Sequence, residues 1–504
     1  MAEPLRHHIL VGIMDAIANK PGRLHAGILS FVAAVSAVSV IGVSYQGTAA
    51  SRYALLGVGL LALVLLAILL YLRPLVPLVI ALVFLTSPLQ LVLSLQQSAL
   101  VSAFLLGGAS LGLALRTPIR SLVPDPMFWP IGILAAYGLV SAGYGLWTGN
   151  EIAYVAGDCF QVIEFALVYF LVAQLVKTNA DVRLLLRFGL ASILLTILIE
   201  LLLFALGPNA GDLLPSWEGK SMSAELVRTI DIDATILFAV LINLYPIARS
   251  RKQRFWIWAA MILTVANIAL SLSRGLWVCC LLAVIVSLVL QSQNVRKRLL
   301  TAFALVSISV VLLAATWQIG SDSGGSLLSV FEERVFHGVD QVEEGLAGTE
   351  SMATRRFLEM AIVGPQVLAS PWVGHGLGAT YLIGGFAVLN SDTTAPIDNH
   401  FIHNLYLVTA FRMGVIGLGL LLWMFCRYFR RILRAYRHIP VDLNRALVVG
   451  FVASIVGQLL LSLTQPTVFD HPTCALIACA MALSFRLAAT GSNSKKQIEL
   501  NNGA

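Results

Sequence analysis

Apolar runs of roughly 17 to 24 residues follow one another along most of the chain, each long enough to cross a hydrocarbon layer of about 30 Å as a helix. In lipid such runs leave the backbone little choice, because every N–H and C=O must be satisfied within the segment itself or in a closed barrel. The expected fold class is therefore all-α, a polytopic membrane helix bundle of about 14 transmembrane helices. The runs lie near 26–45, 53–72, 74–93, 98–115, 127–147, 152–176, 184–206, 229–248, 255–273, 275–291, 299–319, 405–425, 446–467 and 472–490. Composition agrees, since hydrophobic residues make up 58% of the 504 and charged residues only 12%, with a mean hydropathy of +0.86. A soluble core would lack the polar surface to cover it.

A net charge of +7 would point a soluble protein towards nucleic acid. Here the basic residues stand in short segments between apolar runs, the pattern that sets membrane orientation, so no nucleic-acid partner is implied. The six cysteines lie in or beside apolar helices without metal-type spacing, which argues against a disulfide framework or a zinc site. The first apolar stretch is broken by charge, and no cleavable signal is expected. Leu5, Ile9, Ile13 and Ile17 recur every fourth residue beside Arg6, His7, His8 and Lys20, which fits either a helix on the membrane surface or a frayed end.

With the N-terminus cytoplasmic, about 24 of the 33 lysines and arginines fall on inside segments, and the bias places both termini inside. The resulting organisation is a cytoplasmic segment 1–25, a first part of the bundle at 26–319, an external subdomain at 320–404, the last part of the bundle at 405–490 and a polar cytoplasmic tail at 491–504. The external loop is too patterned for a mere connector. Apolar residues recur at helical spacing over 326–344 and again over 354–368. Pro371, Gly374, Gly376 and Gly378 then mark a place where the chain turns or meets another backbone closely.

The basic residues left outside need another explanation. Arg274 stands almost alone between two spans, and Arg228 opens the span before them. A guanidinium fork matches phosphate oxygens bidentately and stays charged when partly desolvated, so the pair suits a diphosphate. The competing reading is that each snorkels to the interface or pairs with an acid such as Asp231. Arg355 or its neighbour Arg356 can add to the anion site, but adjacent helical residues face apart. His403, at the mouth of the span 405–425, is a candidate general base for a sugar hydroxyl, with Asn404 able to hold the acceptor or the histidine. His400 and His375 compete for that role on chemistry alone. Asp231 and Asp233 have a spacing at which carboxylates can hold magnesium or manganese, although acids at a helix start are ordinarily dipole partners. Asp158, Gln161 and Glu164 share one face of a span, and Glu200 lies deep in the next. They line a polar cavity, relay protons or pair structurally.

Taken in order, Arg228, Ser273-Arg274-Gly275, Arg355 to Gly378, and His403-Asn404 followed after nine residues by Gly414-Val415-Ile416-Gly417 resemble the O-antigen ligase and O-antigen polymerase superfamily. The resemblance covers about residues 225–425. It implies a GT-C-like inverting glycosyltransferase of the bacterial inner membrane that takes a glycan from undecaprenyl diphosphate on the periplasmic side, without metal or other cofactor. By position it assigns the diphosphate to Arg228 and Arg274 and activation of the acceptor hydroxyl to His403. Beside these, Asn404, His400 and Asp233 are expected as acceptor or supporting residues and Arg355 as a further diphosphate contact. Asp233 departs from the asparagine that the family often has after the first arginine. About 14 spans exceed the twelve of many ligases, which favours a polymerase over a ligase acting on a lipid A core. The partners expected are the lipid-linked donor, a glycan or lipid-linked acceptor, membrane lipids and a chain-length-regulating co-polymerase. From another class, a polysaccharide transporter or flippase would also account for many spans and buried carboxyls, and would call for internal repeats and broken helices near the midplane.

Overall fold

A computed structural model describes residues 75–86, scattered positions within 101–113, then 125–206, 221–223, 226–227, 232–271, 273–320, 352–381, 400–440, 442–469 and 473–502. The runs at 26–45 and 53–72, the N-terminal periodic segment, Arg228, Asp231 and the stretch 326–344 lie outside these residues. The helices are α1 (Leu75–Leu85), α2 (Phe128–Trp147), α3 (Ile152–Leu175), α4 (Asn179–Leu206), α5 (Asp233–Leu244), α6 (Arg251–Leu270), α7 (Arg274–Leu290), α8 (Gln293–Gly320), α9 (Met352–Ala369), α10 (Leu405–Ala435), α11 (Leu443–Leu461) and α12 (Thr473–Asn502). A short antiparallel hairpin, β1 (Ser221–Ser223) with β2 (Leu226–Val227), is the departure from the all-helical expectation. Among the described residues six helices are long and apolar enough to cross a membrane, at Phe128–Trp147, Ile152–Leu175, Asn179–Leu202, Arg251–Leu270, Leu405–His438 and Leu443–Leu461. Shorter apolar helices include Asp233–Ile247, Arg274–Leu290 and Thr473–Ala489.

Helix α11 packs against α5, α7 and α12. Small residues make this possible, because lipid gives no hydrophobic push and helices instead gain by close backbone approach. Gly450 and Gly457 sit two turns apart on α11; a Cβ at 450 would lie 3.0 Å from the Ala239 carbonyl oxygen, and one at 457 would lie 2.6 Å from Cys279 Sγ. Ala453, between them, meets Ala239 and Ala283. Side-chain hydrogen bonds tie the same helices together: Gln458 Nε2 donates to Thr235 Oγ1 (2.7 Å), and Asn243 Nδ2 to Ser287 Oγ (2.7 Å).

Two ends of the bundle differ in chemistry. At one end the start of α10 meets the turn after α11, where the Leu405 N–H donates to the Ser462 carbonyl (2.9 Å), and Gly275 at the start of α7 faces Leu461 and Thr464 of that turn. The basic connections lie at the other, where Arg298 Nη1 reaches the Pro246 carbonyl (3.1 Å) and Arg254 Nε the Ala248 carbonyl (3.0 Å). Antiparallel spans of matched length force this separation, so the charge asymmetry of the sequence becomes a difference between two faces. After Thr490 the helix continues to Asn502, because lysine, glutamine, glutamate and leucine in that stretch favour helix.

Candidate functional site

The site is built around a break in α10. At Gly414 the backbone turns to φ 66°, ψ −174°, which interrupts the helical ladder and frees carbonyls that lipid cannot satisfy. The glycine-rich turn supplies the missing partners. His375 and Gly376 donate their N–H groups to the carbonyls of Phe411 (2.9 Å) and Arg412 (3.0 Å), and the Val415 N–H donates to the Pro371 carbonyl (2.7 Å). From α2, Tyr137 OH donates to the Met413 carbonyl (3.0 Å) and Ser141 Oγ to that of Arg412 (3.2 Å). The turn can lie this close because of Gly376, at φ 84°, where a Cβ would fall 2.4 Å from Gly145 Cα. Asn150 closes the arrangement by donating through Nδ2 to the carbonyls of His375 (3.1 Å) and Leu377 (3.0 Å). The expectation of a close backbone approach at Gly374, Gly376 and Gly378 is met: Gly374 lies against the broken helix α10, Gly376 against Gly145 of α2 and Gly378 against Val155 of α3.

Beneath the turn lies a buried ion pair. Arg412 Nη1 donates to Asp158 Oδ1 (2.8 Å), and the Gly378 N–H donates to Asp158 Oδ2 (2.7 Å). Arg412 also donates through Nη2 to the His400 carbonyl, while the His400 ring stacks on Tyr154 at 4.0 Å, with Nε2 3.3 Å from Asp158 Oδ1. One carboxylate on α3 thus fixes α10, the glycine turn and the segment leading to His403. Arg412→Ala is expected to cost on the order of 3–5 kcal/mol, because it strands a buried carboxylate. Thermal unfolding of the detergent-purified protein checks this, and the double change Arg412→Met with Asp158→Leu should lose less than either single change.

His403 is held from α9. Glu359 takes the His403 backbone N–H on Oε1 (2.7 Å) and Nδ1 of the ring on Oε2 (2.9 Å). The carboxylate is 9% exposed and the imidazole 46%. A carboxylate can only accept, so Nδ1 carries a proton, and in the neutral ring Nε2 then offers its lone pair to a substrate. Phe401 stands edge-on to the imidazole at 4.9 Å. Asn404 is a helix cap: its Oδ1 accepts from the N–H groups of Tyr406 (2.9 Å) and Leu407 (3.0 Å), the first two orphan donors that a cap reaches.

Arg274 opens α7 at the same end as His403, half-buried, and both neighbourhoods touch the turn 461–464. Arg355 lies on α9 one turn before Glu359. Asp233 is buried at the start of α5 and accepts from Thr473 Oγ1 (3.3 Å). His375 is packed against Phe411, with Nε2 2.9 Å from the Gln366 carbonyl. The carboxyl suspects resolve into helix-to-helix links: Glu164 accepts from Cys474 Sγ (3.1 Å), and Glu200 from Asn267 Nδ2 (2.8 Å). Sequence reasoning missed Glu359 and the role of Arg412. Glu359 is the one acid in the stretch that forms α9, and Arg412 a lone charge inside an apolar span.

Among curated proteins no match to the chain is found. Residues 259–424, about a third of the chain, match the family model described as O-antigen ligase. That stretch runs from α6 into α10, takes in Arg274, Arg355, Glu359, the glycine turn and His403, and is similar to the O-antigen ligase family.

Proposed function

We propose that the protein is a membrane glycosyltransferase that moves a glycan from undecaprenyl diphosphate to an acceptor hydroxyl at the periplasmic face, extending a surface polysaccharide. The observation that carries this reading is the Glu359–His403 pair at an exposed helix mouth, with Nε2 bonded to no described residue. The acceptor oxygen attacks the anomeric carbon from the side opposite the diphosphate, and its proton passes to Nε2. The carbon–oxygen bond to the carrier breaks, and the diphosphate leaves with the electron pair. Glu359 stabilises the imidazolium that forms. Arg274 is proposed to meet the growing charge on the leaving diphosphate, together with Arg228 and Arg355; such fixed electrostatic stabilisation is usually the largest catalytic contribution. No metal takes part in this scheme. In this reading the chain crosses the membrane about 14 times, with both termini in the cytoplasm and a periplasmic subdomain over 320–404.

Polymerisation is favoured over ligation by the number of apolar runs. A strain lacking the protein separates the two: loss of a polymerase leaves single repeat units on the surface, whereas loss of a ligase leaves long chains on undecaprenyl diphosphate. Normal surface glycan in that strain overturns both.

A further inference from the structure

At the end of the bundle away from His403, a groove of about 230 Å³ opens between α4, the end of α5, the start of α11 and α12. Its walls are graded. Asn179, Arg183 and Asn444 stand at the helix starts that form its mouth, and Arg187 follows one turn further in. Beyond them Leu186, Leu190 and Leu447 continue the lining. From Asn179 to Leu190 is eleven residues, about 16 Å along a helix axis, or roughly half the hydrocarbon thickness.

Arg183 and Arg187 are exposed and have no hydrogen bond or ion pair to a described residue. Two like charges one turn apart on a helix repel, a small cost that a shared anion reverses. The acids near the mouth do not supply it. Asp181 Oδ2 accepts from the backbone of Lys177 (3.1 Å) and Thr178 (2.8 Å), and Asp442 Oδ1 caps α11 through Asn444 (2.9 Å) and Arg445 (3.2 Å).

We infer that this groove binds an anionic phospholipid of the leaflet opposite the His403 site, its phosphate between Arg183 and Arg187 and an acyl chain along Leu186, Leu190 and Leu447. A polar mouth with two unpaired cations above an apolar trough matches an amphiphile with a negative head, and basic pockets between membrane helices hold such headgroups. A soluble anion would find no use for the trough, and a zwitterionic lipid brings a cation with its phosphate, so it removes none of the net charge of the two guanidinium groups, whereas a singly anionic lipid removes half of it. The bound lipid would wedge α4 against α5 and α11, supporting the bundle at a distance from its chemistry.

The test is thermal unfolding of the delipidated full chain in detergent, with phosphatidylglycerol or phosphatidylcholine of the same acyl chains added back. Phosphatidylglycerol is expected to raise Tm by a few degrees, as preferential binding to the folded state requires, and phosphatidylcholine by clearly less. Arg183→Gln with Arg187→Gln should remove the difference, while Arg430→Gln with Arg434→Gln, basic residues at the same end outside the groove, should keep it. Equal responses to the two lipids in the wild type, which needs no variant to fold, overturn the inference. So does an equal rise with inorganic phosphate, which would make the ligand a free anion, or a response undiminished in the Arg183/Arg187 variant.

Discussion

Replacing His403 with alanine is expected to lower glycan transfer by about 10²- to 10⁴-fold, the usual contribution of a positioned general base, with the protein still present in the membrane. The second half of that expectation follows from the geometry. The imidazole is 46% exposed, among the described residues its ring hydrogen-bonds only to Glu359, and the cap of α10 belongs to Asn404. The backbone N–H at 403 still donates to Glu359 Oε1 in the variant, and water can take the place of the exposed ring at Oε2, so little of the fold is lost with it. Glu359→Gln should give an intermediate loss that falls on kcat with KM nearly unchanged, because an amide can still accept one hydrogen bond but does not stabilise the imidazolium. Transfer measured in membranes with lipid-linked donor checks both. A normal rate in His403→Ala sinks the enzymatic reading, while equal and complete loss in both variants with protein missing from the membrane would assign the pair to folding.

The second large effect is expected at Gly414. A side chain there would put its Cβ 2.1 Å from the Trp372 carbonyl oxygen and 2.6 Å from the Val373 nitrogen, both backbone atoms that cannot swing aside, at a φ of 66° that a β-branched residue does not tolerate. Gly414→Val is expected to undock the glycine turn and expose the unpaired carbonyls of the broken helix, a loss above about 4 kcal/mol. Protein level in the membrane and the unfolding midpoint both report it. Gly419, five residues on in the same helix, makes the contrast: nothing lies within 4 Å of its Cβ position, so Gly419→Ala should be neutral or stabilise slightly. Similar losses at 414 and 419 would show that glycine is needed along α10 for some reason other than the break.

Much of this architecture is legible in the chain itself. The spans at 152–176 and 275–291 differ by a residue or so from α3 and α7, because length and apolarity are local properties that the bilayer reads directly. The amphipathic stretch 354–368 forms α9, and the glycines of 374–378 adopt the positive φ that their spacing announces. His403, Asn404 and Arg274 stand out for the same reason, each a polar residue where an apolar run begins.

What the tertiary structure alone decided are the pairings across the bundle. Glu359 and His403 are 44 residues apart, and Asp158 and Arg412 are 254 apart. No periodicity encodes either distance. In the sequence Arg412 reads as an exception to the charge rule and Asp158 as a costly carboxylate in a span. Only when α10 breaks at Gly414 and receives the glycine turn do the two charges neutralise each other and anchor the segment that presents His403. A buried charge is expensive until its partner is in place, and the partner is supplied by the fold as a whole.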